Sequence, residues 1–409
     1  MGITLRLAWR NLWRQPRRTW LTTGAMVFSN ILLVFMISLQ FGMYRMMIDN
    51  TLKAFTGHMQ IQARGYLHDR KIRQSVPDIE TLAADMRAGL GLDTVAARAA
   101  GFALASSAER SYGIQVFGVE PRFEPLVSSL PGLVKEGRFL DDSHAAEIVI
   151  GRVLARNLRV SVGDELTLLG SGRDGSFAAT VVNIAGIFDS GMAELDRTIA
   201  EMPIGTFQET FSMGTGGHEI VIMAPDLFEV PGVLTSARAL LPADENLVIV
   251  DWNALQPGLR QAIQADLTSA WFMYGILIIL VAFSVLNTQL MSVLERTKEF
   301  GIILALGLTP GRLGRLVLLE TAMMGGLGLV FGVLAGSALT GWFNIHGFSY
   351  PGMEAMSSQF NLPDQIYPRI TVLSAMLGPG LVFAGSLLAA VYPALRLHWL
   401  RPVTAMRAA

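Results

Sequence analysis

Cysteine is absent from this chain of 409 residues, and charged side chains are scarce. Without a thiol there is no disulfide framework, no thiolate metal site and no cysteine nucleophile. Asp, Glu, Lys and Arg make up 16% of the residues, whereas an average soluble domain contains about 25%. The formal net charge is −1, which excludes the basic balance typical of nucleic-acid binding. Apolar sequence takes the place of charge: 51% of the residues are hydrophobic and the mean hydropathy is +0.43.

Motifs for nucleotide, metal and hydrolytic chemistry are also missing. The sequence has no G-x-x-x-x-G-K-[ST] phosphate loop and no G-x-S-x-G elbow, and its six histidines lack metal-ligand spacing. Residues 170–175 match the dinucleotide fingerprint G-x-G-x-x-G, but that motif must open a helix, and a strand-like run follows from Ser176. Asp174-Gly175 is a tight-turn pair, so we predict a hairpin tip. We expect no catalytic, cofactor or metal site, and no enzyme activity, in this chain.

Four long apolar runs dominate the chain. A helix crosses the roughly 30 Å hydrocarbon core of a bilayer with about 20 apolar residues. We therefore predict four transmembrane helices, at residues 19–45, 267–294, 316–345 and 370–395. The first run is too long for a cleaved signal peptide and no cleavage site follows it, so we interpret it as an uncleaved anchor.

Arginine and lysine near the ends of these spans predict the orientation. They precede the first span, lie between the second and third spans and follow the fourth, whereas residues 354–368 contain none. Both termini are therefore predicted to be cytoplasmic. In this layout the cytoplasmic segments are 1–18, 295–315 and 396–409. The large domain 46–266 and the short loop 346–369 lie on the opposite side.

The domain at 46–266 is predicted to be α+β. Alternating residues predict strands near 58–64, 113–119, 147–151, 165–169, 178–188, 219–223 and 246–250. Helices are predicted at 78–90, with Asp78 as its N-cap, and at 231–241. Because the helices flank a strand-rich middle, we predict that residues about 120–215 form an inserted subdomain.

The segment between the second and third spans has the pattern of a short surface helix. It opens with four charged residues, Glu295, Arg296, Lys298 and Glu299. Ile302, Ile303 and Leu306 then lie on about one helical face, and Gly307 and Pro310 interrupt the helix. Such a half-apolar helix is typical of a docking element. The alternative interpretation is a plain solvated connector.

Two further patterns concern packing and anchoring. Trp9 and Trp13 lie on the apolar side of an amphipathic helix, which predicts that residues 1–18 lie in the membrane interface with tryptophan at headgroup depth. In the third span Gly328, Gly332 and Gly336 recur at every fourth residue, a spacing that lets helix backbones approach closely. The partner helix could belong to this chain or to a second copy.

These features together resemble the FtsX-like permease superfamily of ABC transporters, which includes the lipoprotein-releasing permeases and the MacB macrolide exporter. The resemblance rests on the run Glu295-Arg296-x-x-Glu299-x-Gly301-Ile302-x-x-Ala305-Leu306-Gly307, on Ala8-x-Arg10-Asn11-Leu12, and on Tyr392-Pro393-Ala394 with Arg401-Pro402-Val403. One span, a large domain and three spans is also the superfamily's order, so nearly the whole chain is covered. Within it, the chain resembles the lipoprotein-releasing branch (LolC and LolE) most. One departure is the short hairpin at 170–176, which lacks the apolar tip that hooks a periplasmic carrier in LolC.

The resemblance implies a permease of the bacterial inner membrane, with its large domain in the periplasm. It implies a cytoplasmic ABC ATPase homodimer as partner, which would hold ATP and magnesium, and a second permease that is identical or related. Seven residues would form the ATPase-coupling segment: Glu295, Arg296, Glu299, Gly301, Ile302, Leu306 and Gly307. ATP hydrolysis would move the periplasmic domain mechanically and extract or export a lipoprotein or another apolar substrate. A periplasmic carrier or adaptor is a further expected partner.

Two alternative functions belong to the same resemblance. One is a signalling or regulatory module of the cell-division or antibiotic-sensing type, which transmits force without cargo. The other is an efflux permease that works with a periplasmic adaptor.

Overall fold

A computed structural model of the chain describes residues 3–227, 229–242, 246–349, 351, 353 and 365–399. The chain forms two compact units. One, here the membrane unit, comprises residues 1–44, 262–349 and 365–409. The other, here the globular domain, is residues 45–261, with 350–364 assigned to it.

The secondary structure follows the predicted α+β and four-span pattern. In chain order the helices are α1 (Ile3–Leu12), α2 (Pro16–Thr51), α3 (Ile79–Leu90), α4 (Glu124–Val127), α5 (Arg152–Leu158), α6 (Leu195–Thr198), α7 (Ile204–Thr210), α8 (Val230–Leu240), α9 (Trp252–Leu255), α10 (Pro257–Glu295), α11 (Thr297–Ala305), α12 (Pro310–His346) and α13 (Val372–Arg396). The strands are β1 (Met59–Ala63), β2 (Val95–Ser106), β3 (Ser111–Val119), β4 (Val134–Gly137), β5 (Glu147–Gly151), β6 (Glu165–Ser171), β7 (Phe177–Phe188), β8 (Ile199–Pro203), β9 (Glu219–Ile222) and β10 (Leu247–Asp251). A single π-helical turn, Leu52–Thr56, follows α2.

Four helices of the described chain, α2, α10, α12 and α13, are long and apolar enough to cross a membrane. Three of them begin before the predicted spans, α2 by three residues, α10 by ten and α12 by six. The helix α2 starts at Pro16 and α10 at Pro257, because proline favours the first helical position. With 36 and 39 residues, these two helices are roughly 55 Å long, well above the roughly 30 Å of a bilayer core.

The globular domain is built on one ten-stranded sheet with the order β10-β1-β9-β2-β3-β8-β5-β7-β4, in which β6 pairs with β2 and β7. Two of its pairings, β3–β8 and β5–β7, are parallel and the others are antiparallel. One apolar core lies around β1, β9, α3 and α8, and a second around β5–β8 and α7. Most predicted strands of this domain lie within one or two residues of the observed ones.

The region predicted as an inserted subdomain, about 120–215, shares its sheet with the rest of the domain. Strands inside that range pair with strands before it, β6 with β2 and β8 with β3, so the sheet is continuous. The strand β2 contributes to both cores, with Val95 in the first and Ala103 in the second. The sequence analysis missed β2 because the strand reads VAARAAGFALAS, and alanine is a poor strand former that hides the alternation.

Candidate functional site

The segment between the second and third spans forms a short separate helix, α11. It is separated from α10 by Arg296, which lies outside regular helical geometry at φ −97° and ψ 12°. Gly307 ends the segment with φ +95°, a left-handed conformation that favours glycine. Extended Thr309 then precedes α12, whose first residue is Pro310.

The helix α11 has one buried side and one exposed apolar side. Phe300 and Gly301 are buried, and Phe300 packs in an apolar cluster with Leu313 and Val317 of α12. On the other side, the exposed fractions of Ile302, Leu306 and Leu308 are 49%, 82% and 37%. We call these three residues the apolar tip. A cluster of exposed large apolar side chains beside a charged turn is typical of an interaction surface.

Three of the four charged residues of the segment, Glu295, Arg296 and Glu299, form ion pairs with neighbouring parts of the membrane unit, and the fourth, Lys298, is exposed. Arg14 donates two hydrogen bonds to Glu299, Nη1 to Oε2 at 3.1 Å and Nη2 to Oε1 at 3.0 Å. These hydrogen bonds from Arg14 lower the pKa of the Glu299 carboxyl below its ordinary value. Arg18 donates to Glu295 at 3.1 Å. The start of α11 is therefore tied to the end of α1 and the first turn of α2.

A second part of this network is more deeply buried. The Arg296 guanidinium donates to both carboxylate oxygens of Glu320, at 3.2 and 3.3 Å, and lies over the Phe300 ring at 4.8 Å. Asn11 donates to the same Glu320 carboxylate at 2.7 Å. We call the six ionised residues the latch: Arg14, Arg18, Arg296, Glu295, Glu299 and Glu320.

Sequence reasoning found Glu295, Arg296 and Glu299 but missed their partners. Arg14 is 285 residues away from Glu299 in the sequence, so local spacing cannot reveal the contact. The available signal was the charge balance, because three arginines face three glutamates. A cleft of about 170 Å³ lies among these groups and is also lined by Gln289. In the second span Gln289 is buried and Asn287 is exposed.

The glycine stripe of the third span lies against the first span of the same chain. A Cβ atom added at Gly328, Gly332 or Gly336 would lie 2.8, 2.3 or 2.9 Å from the Cβ of Met26, Asn30 or Val34, respectively. Real Cβ atoms do not approach so closely, so glycine is required at these positions. The Asn30 amide also donates to the Gly328 carbonyl at 3.0 Å. The partner left open by the sequence is thus α2.

Of the two predicted anchor residues, Trp9 lies on the exposed side of α1 and Trp13 lies in the turn that follows α1. Trp9 and Trp13 have exposed fractions of 46% and 43%. Their rings make an edge-to-face contact at 5.8 Å, and Trp13 makes a second with Trp20 at 6.0 Å. An aromatic row of this kind, beside exposed arginines, suits the membrane–water interface.

The glycine-rich run at 170–175 forms a hairpin tip, as predicted. The strands β6 and β7 pair up to Ser171 and Phe177, and the backbone N–H of Gly172 donates to the Ser176 carbonyl at 2.9 Å. Gly175 has φ +88°. In the described part of the chain, no group of three histidine, aspartate or glutamate residues is placed to hold a metal ion.

Comparison with known proteins gives the family. The model "MacB-like periplasmic core domain" matches residues 19–240, and "FtsX-like permease C-terminal" matches residues 271–402. The chain is similar to the lipoprotein-releasing system transmembrane protein LolC of Xylella fastidiosa (strain Temecula1), with 26% identity covering 73% of this chain and 74% of the relative. It is similar to LolE of Haemophilus influenzae at 26% identity, covering 73% and 74%.

The chain is also similar to a solved structure. The periplasmic region of MacB from Actinobacillus actinomycetemcomitans covers 53% of this chain and 96% of its own length, at 14% identity and a TM-score of 0.36. The resemblance drawn from the motifs at 295–307 and at both ends is confirmed by the two family models and the curated relatives. The chain belongs to the family of ABC-transporter permeases that combine a MacB-like periplasmic core domain with an FtsX-like permease C-terminal domain.

Proposed function

We propose that this permease couples ATP hydrolysis by a separate cytoplasmic ATPase homodimer to movement of its periplasmic domain, and that this movement extracts or exports a lipoprotein or another apolar substrate. Family membership implies an ATPase partner and a membrane. In this proposal ATP and magnesium are bound by the partner chain. The relatives named lipoprotein-releasing proteins support the choice of substrate.

The observation that carries the proposal is the two-sided construction of α11. Its apolar tip is exposed, with Leu306 at 82%, while its charged residues are fixed from within by the latch. Burial of such exposed apolar side chains in a groove on another protein stabilises the complex. We therefore assign the ATPase contact to Ile302, Leu306 and Leu308. We assign a positioning role, instead of a direct contact, to Glu295, Arg296 and Glu299.

The latch gives α11 a route to the spans. A displacement of α11 pulls on Arg14 at the end of α1 through Glu299 and on Glu320 of α12 through Arg296. Buried Phe300 and Leu313 resist compression in the same place, because packed interiors transmit strain. Movement of the ATPase therefore reaches the helices without a pore having to open.

Two further parts of the proposal are the orientation and a second permease. Both termini and α11 lie in the cytoplasm in this proposal, following the placement of arginine and lysine. The helix α10 is the least buried of the four spans, since 22% of its apolar 18-residue stretch is buried. Its exposed Asn287 and Phe283 support a contact with a second permease, identical or related, because an amide exposed to lipid is costly.

Orientation is tested by cysteine labelling, for which the cysteine-free chain is well suited. In inside-out vesicles a membrane-impermeant maleimide is expected to label Leu306→Cys but not Phe177→Cys, and in intact spheroplasts the opposite. Labelling of both positions from one side would overturn the orientation.

The coupling role is tested with Leu306→Asp and the ABC ATPase encoded beside the gene. We expect the variant to fold normally, since the side chain is exposed, and to lose co-purification with the ATPase. Phe177→Asp is the matched control, because it places the same charge at a residue exposed to 78% in the periplasmic domain. Normal ATPase binding by Leu306→Asp would contradict the assignment.

The substrate is tested by mass spectrometry of lipids and proteins that co-purify with the complex. Lipoproteins are the expected cargo. Capture of an adaptor and an outer-membrane channel would support the efflux alternative, and capture of a peptidoglycan hydrolase or a kinase would support the signalling alternative. The short hairpin tip at 172–176, with Asp174 and no large apolar residue, does not favour a carrier-hooking loop.

A further inference from the structure

The end of the helix that contains the first span is held by the periplasmic domain in an unusual way. A helix leaves its last four carbonyl groups without partners inside the helix. Here four consecutive carbonyls of the π-turn, those of residues 53–56, each accept a hydrogen bond. Their donors are the Ser129 backbone N–H on Lys53 at 2.7 Å, the Ser128 hydroxyl on Ala54 at 3.1 Å, the Arg98 guanidinium on Phe55, and the Gln60 amide on Thr56 at 2.7 Å.

Arg98 is the charged member of this set, and it is completely buried. Its Nε donates to Glu124 at 2.9 Å, and its Nη2 donates to the other oxygen of the same carboxylate. The remaining Nη1 donates to the Phe55 carbonyl. The guanidinium also lies 4.2 Å from the Phe55 ring centre, and that ring packs against Phe117 at 4.4 Å. Glu124 therefore orients Arg98, and Arg98 fixes Phe55.

A gain in stability does not account for this arrangement, because burying charged groups costs free energy. Glu201 and Glu219 are also buried, and burial raises the pKa of both carboxyls above their ordinary value. A buried ion pair is often no more stabilising than apolar residues of the same volume. What such a pair supplies is a fixed geometry, because a guanidinium makes its hydrogen bonds in one plane and in set directions.

A second buried ion pair in the same domain lacks this role. Arg87 donates to Glu120 at 3.0 Å and to the Val95 carbonyl at 2.7 Å. Its contacts join α3 to the start of β2, and none of those described involves residues 45–58. The domain thus contains two pairs of the same chemistry, of which only Arg98–Glu124 touches the end of the helix.

We propose that Arg98, oriented by Glu124, is the positioning residue that fixes the end of the first-span helix, residues 45–56, to the rest of the periplasmic domain, so that this end of the helix moves with the domain. This inference rests on the proposed function, because a rigid joint is useful only if movement passes through it. The hydrogen bonds of Ser128 and Ser129 complete the joint from the segment that follows α4.

The test uses the full chain with its ATPase in nanodiscs. Spin labels at Met47→Cys and Phe177→Cys report the distance between the helix and the domain, and no native cysteine interferes. The clamp variant is Arg98→Met with Glu124→Gln, which removes both charges together. The control is Arg87→Met with Glu120→Gln. We expect one narrow distance distribution in the parent and the control, with and without ATP, and a broad one in the clamp variant.

Hydrogen exchange supplies a second readout. The Ser129 amide donates to the Lys53 carbonyl. We expect its hydrogen exchange to be at least about tenfold faster in the clamp variant, because local opening no longer has to break the hydrogen bonds of Arg98. If the clamp variant does not fold, Ser128→Ala, which removes the bond to the Ala54 carbonyl and the bond from the Leu130 N–H, should still broaden the distribution and accelerate exchange of the Ser129 amide. A narrow distribution with unchanged Ser129 exchange in a folded variant overturns the inference. A broad distribution in the clamp variant, together with a parent that shows no ATP-dependent transport, supports the joint while refuting the proposed function.

Discussion

The membrane unit and the globular domain use charged side chains in opposite ways. In the membrane unit three arginines meet three glutamates, and the pair that reaches α11 stays in contact with water, with Arg14 exposed to 59% and Glu299 to 44%. In the globular domain Arg98 and Glu124 are both fully buried. Two further buried glutamates, Glu201 and Glu219, leave that cluster with more carboxyl groups than cations.

The difference separates adjustable contacts from fixed ones. Exposed ion pairs contribute about 0–1 kcal/mol, because water and salt screen them. Removing one partner of a buried pair costs about 3–5 kcal/mol, because the other charge stays buried and unpaired. The exposed half of the latch, Arg14 with Glu299, is therefore suited to rearrange when a partner pushes it, whereas the joint at Phe55 is suited to remain closed. The following predictions test this contrast, from the largest effect to the smallest.

The first prediction tests whether close backbone contact between α2 and α12, instead of ion pairs, stabilises the membrane unit. Gly332→Leu should destabilise the protein by at least about 3 kcal/mol, because a side chain at this position overlaps Asn30 and separates α2 from α12. Thermal unfolding in detergent, followed by size-exclusion chromatography, measures the loss. Gly341→Leu on the same helix is the control, since nothing lies within 4 Å of its added Cβ. Equal melting of the two variants would show that the stripe does not carry the packing.

The second prediction concerns a neutral histidine in the globular domain. His218 is fully buried; its Nδ1 accepts the Ala100 N–H at 2.9 Å, and its Nε2 lies 3.1 Å from the Ile72 carbonyl. Burial lowers its pKa from 6.5 to about 4. The unfolded chain therefore binds a proton that the folded chain does not between those values, and stability falls as the pH drops from 6.5 towards 4.

The full effect is up to roughly 3 kcal/mol from the shift in pKa. Denaturant unfolding of the full chain at pH 7 and pH 4.5, followed by hydrogen exchange in β2 and β9, measures it. His218→Gln has no imidazole to protonate, so the difference in stability between parent and variant should shrink as the pH falls. A constant difference would mean that His218 does not titrate in this range.

The third prediction concerns Glu201, one of the buried carboxyl groups that outnumber the cations in the cluster around Arg98. Burial raises the pKa of Glu201, and its Oε1 has no hydrogen-bond partner among the described residues. The folded chain then binds a proton that the unfolded chain has released, so stability is complete at low pH and is lost as the pH rises through the raised pKa. Glu201→Gln stays neutral, and its melting temperature at pH 8.5 should exceed that of the parent by about 2–4 °C.

The control for this change is Glu136→Gln, an exposed carboxyl on β4. It should leave the melting temperature unchanged at both pH 5 and pH 8.5. If the parent and Glu201→Gln have the same melting temperature at pH 8.5, the neighbouring groups compensate the charge of Glu201 completely.

Much of the fold was predictable from the sequence, for physical reasons that differ between the two regions. The four spans were found because a bilayer demands long apolar helices, and β1 because its residues alternate. The strand β2 was missed because its alanines carry no such signal. The N-cap position of Asp78 was correct, but its side chain accepts a hydrogen bond from Thr215 instead of capping the helix.

The candidate site was predictable only where the pattern is local. Ile302 and Leu306 share a helical face, so their exposure follows from spacing. The inward contacts of Arg296 and Glu299 do not, because Glu320 and Arg14 belong to other helices. The partner of the glycine stripe was equally invisible, since Met26, Asn30 and Val34 form no small-residue pattern of their own.

The smallest expected effect lies in the exposed half of the latch. Arg14→Ala should lower the free energy of unfolding by no more than about 0.5–1 kcal/mol, and the difference should vanish at about 0.5 M salt, where exposed charges are screened. Arg296→Ala is the matched comparison in the same network, because Arg296 and Glu320 are exposed to only 15% and 7%. Its cost should be severalfold larger and nearly independent of salt, since Glu320 would stay buried with Asn11 as its remaining partner. Denaturant unfolding of both variants at low and high salt measures the contrast. Two variants with the same small, salt-sensitive effect would remove the distinction between an adjustable and a fixed half of the latch, and α11 would then be held mainly by the packing of Phe300.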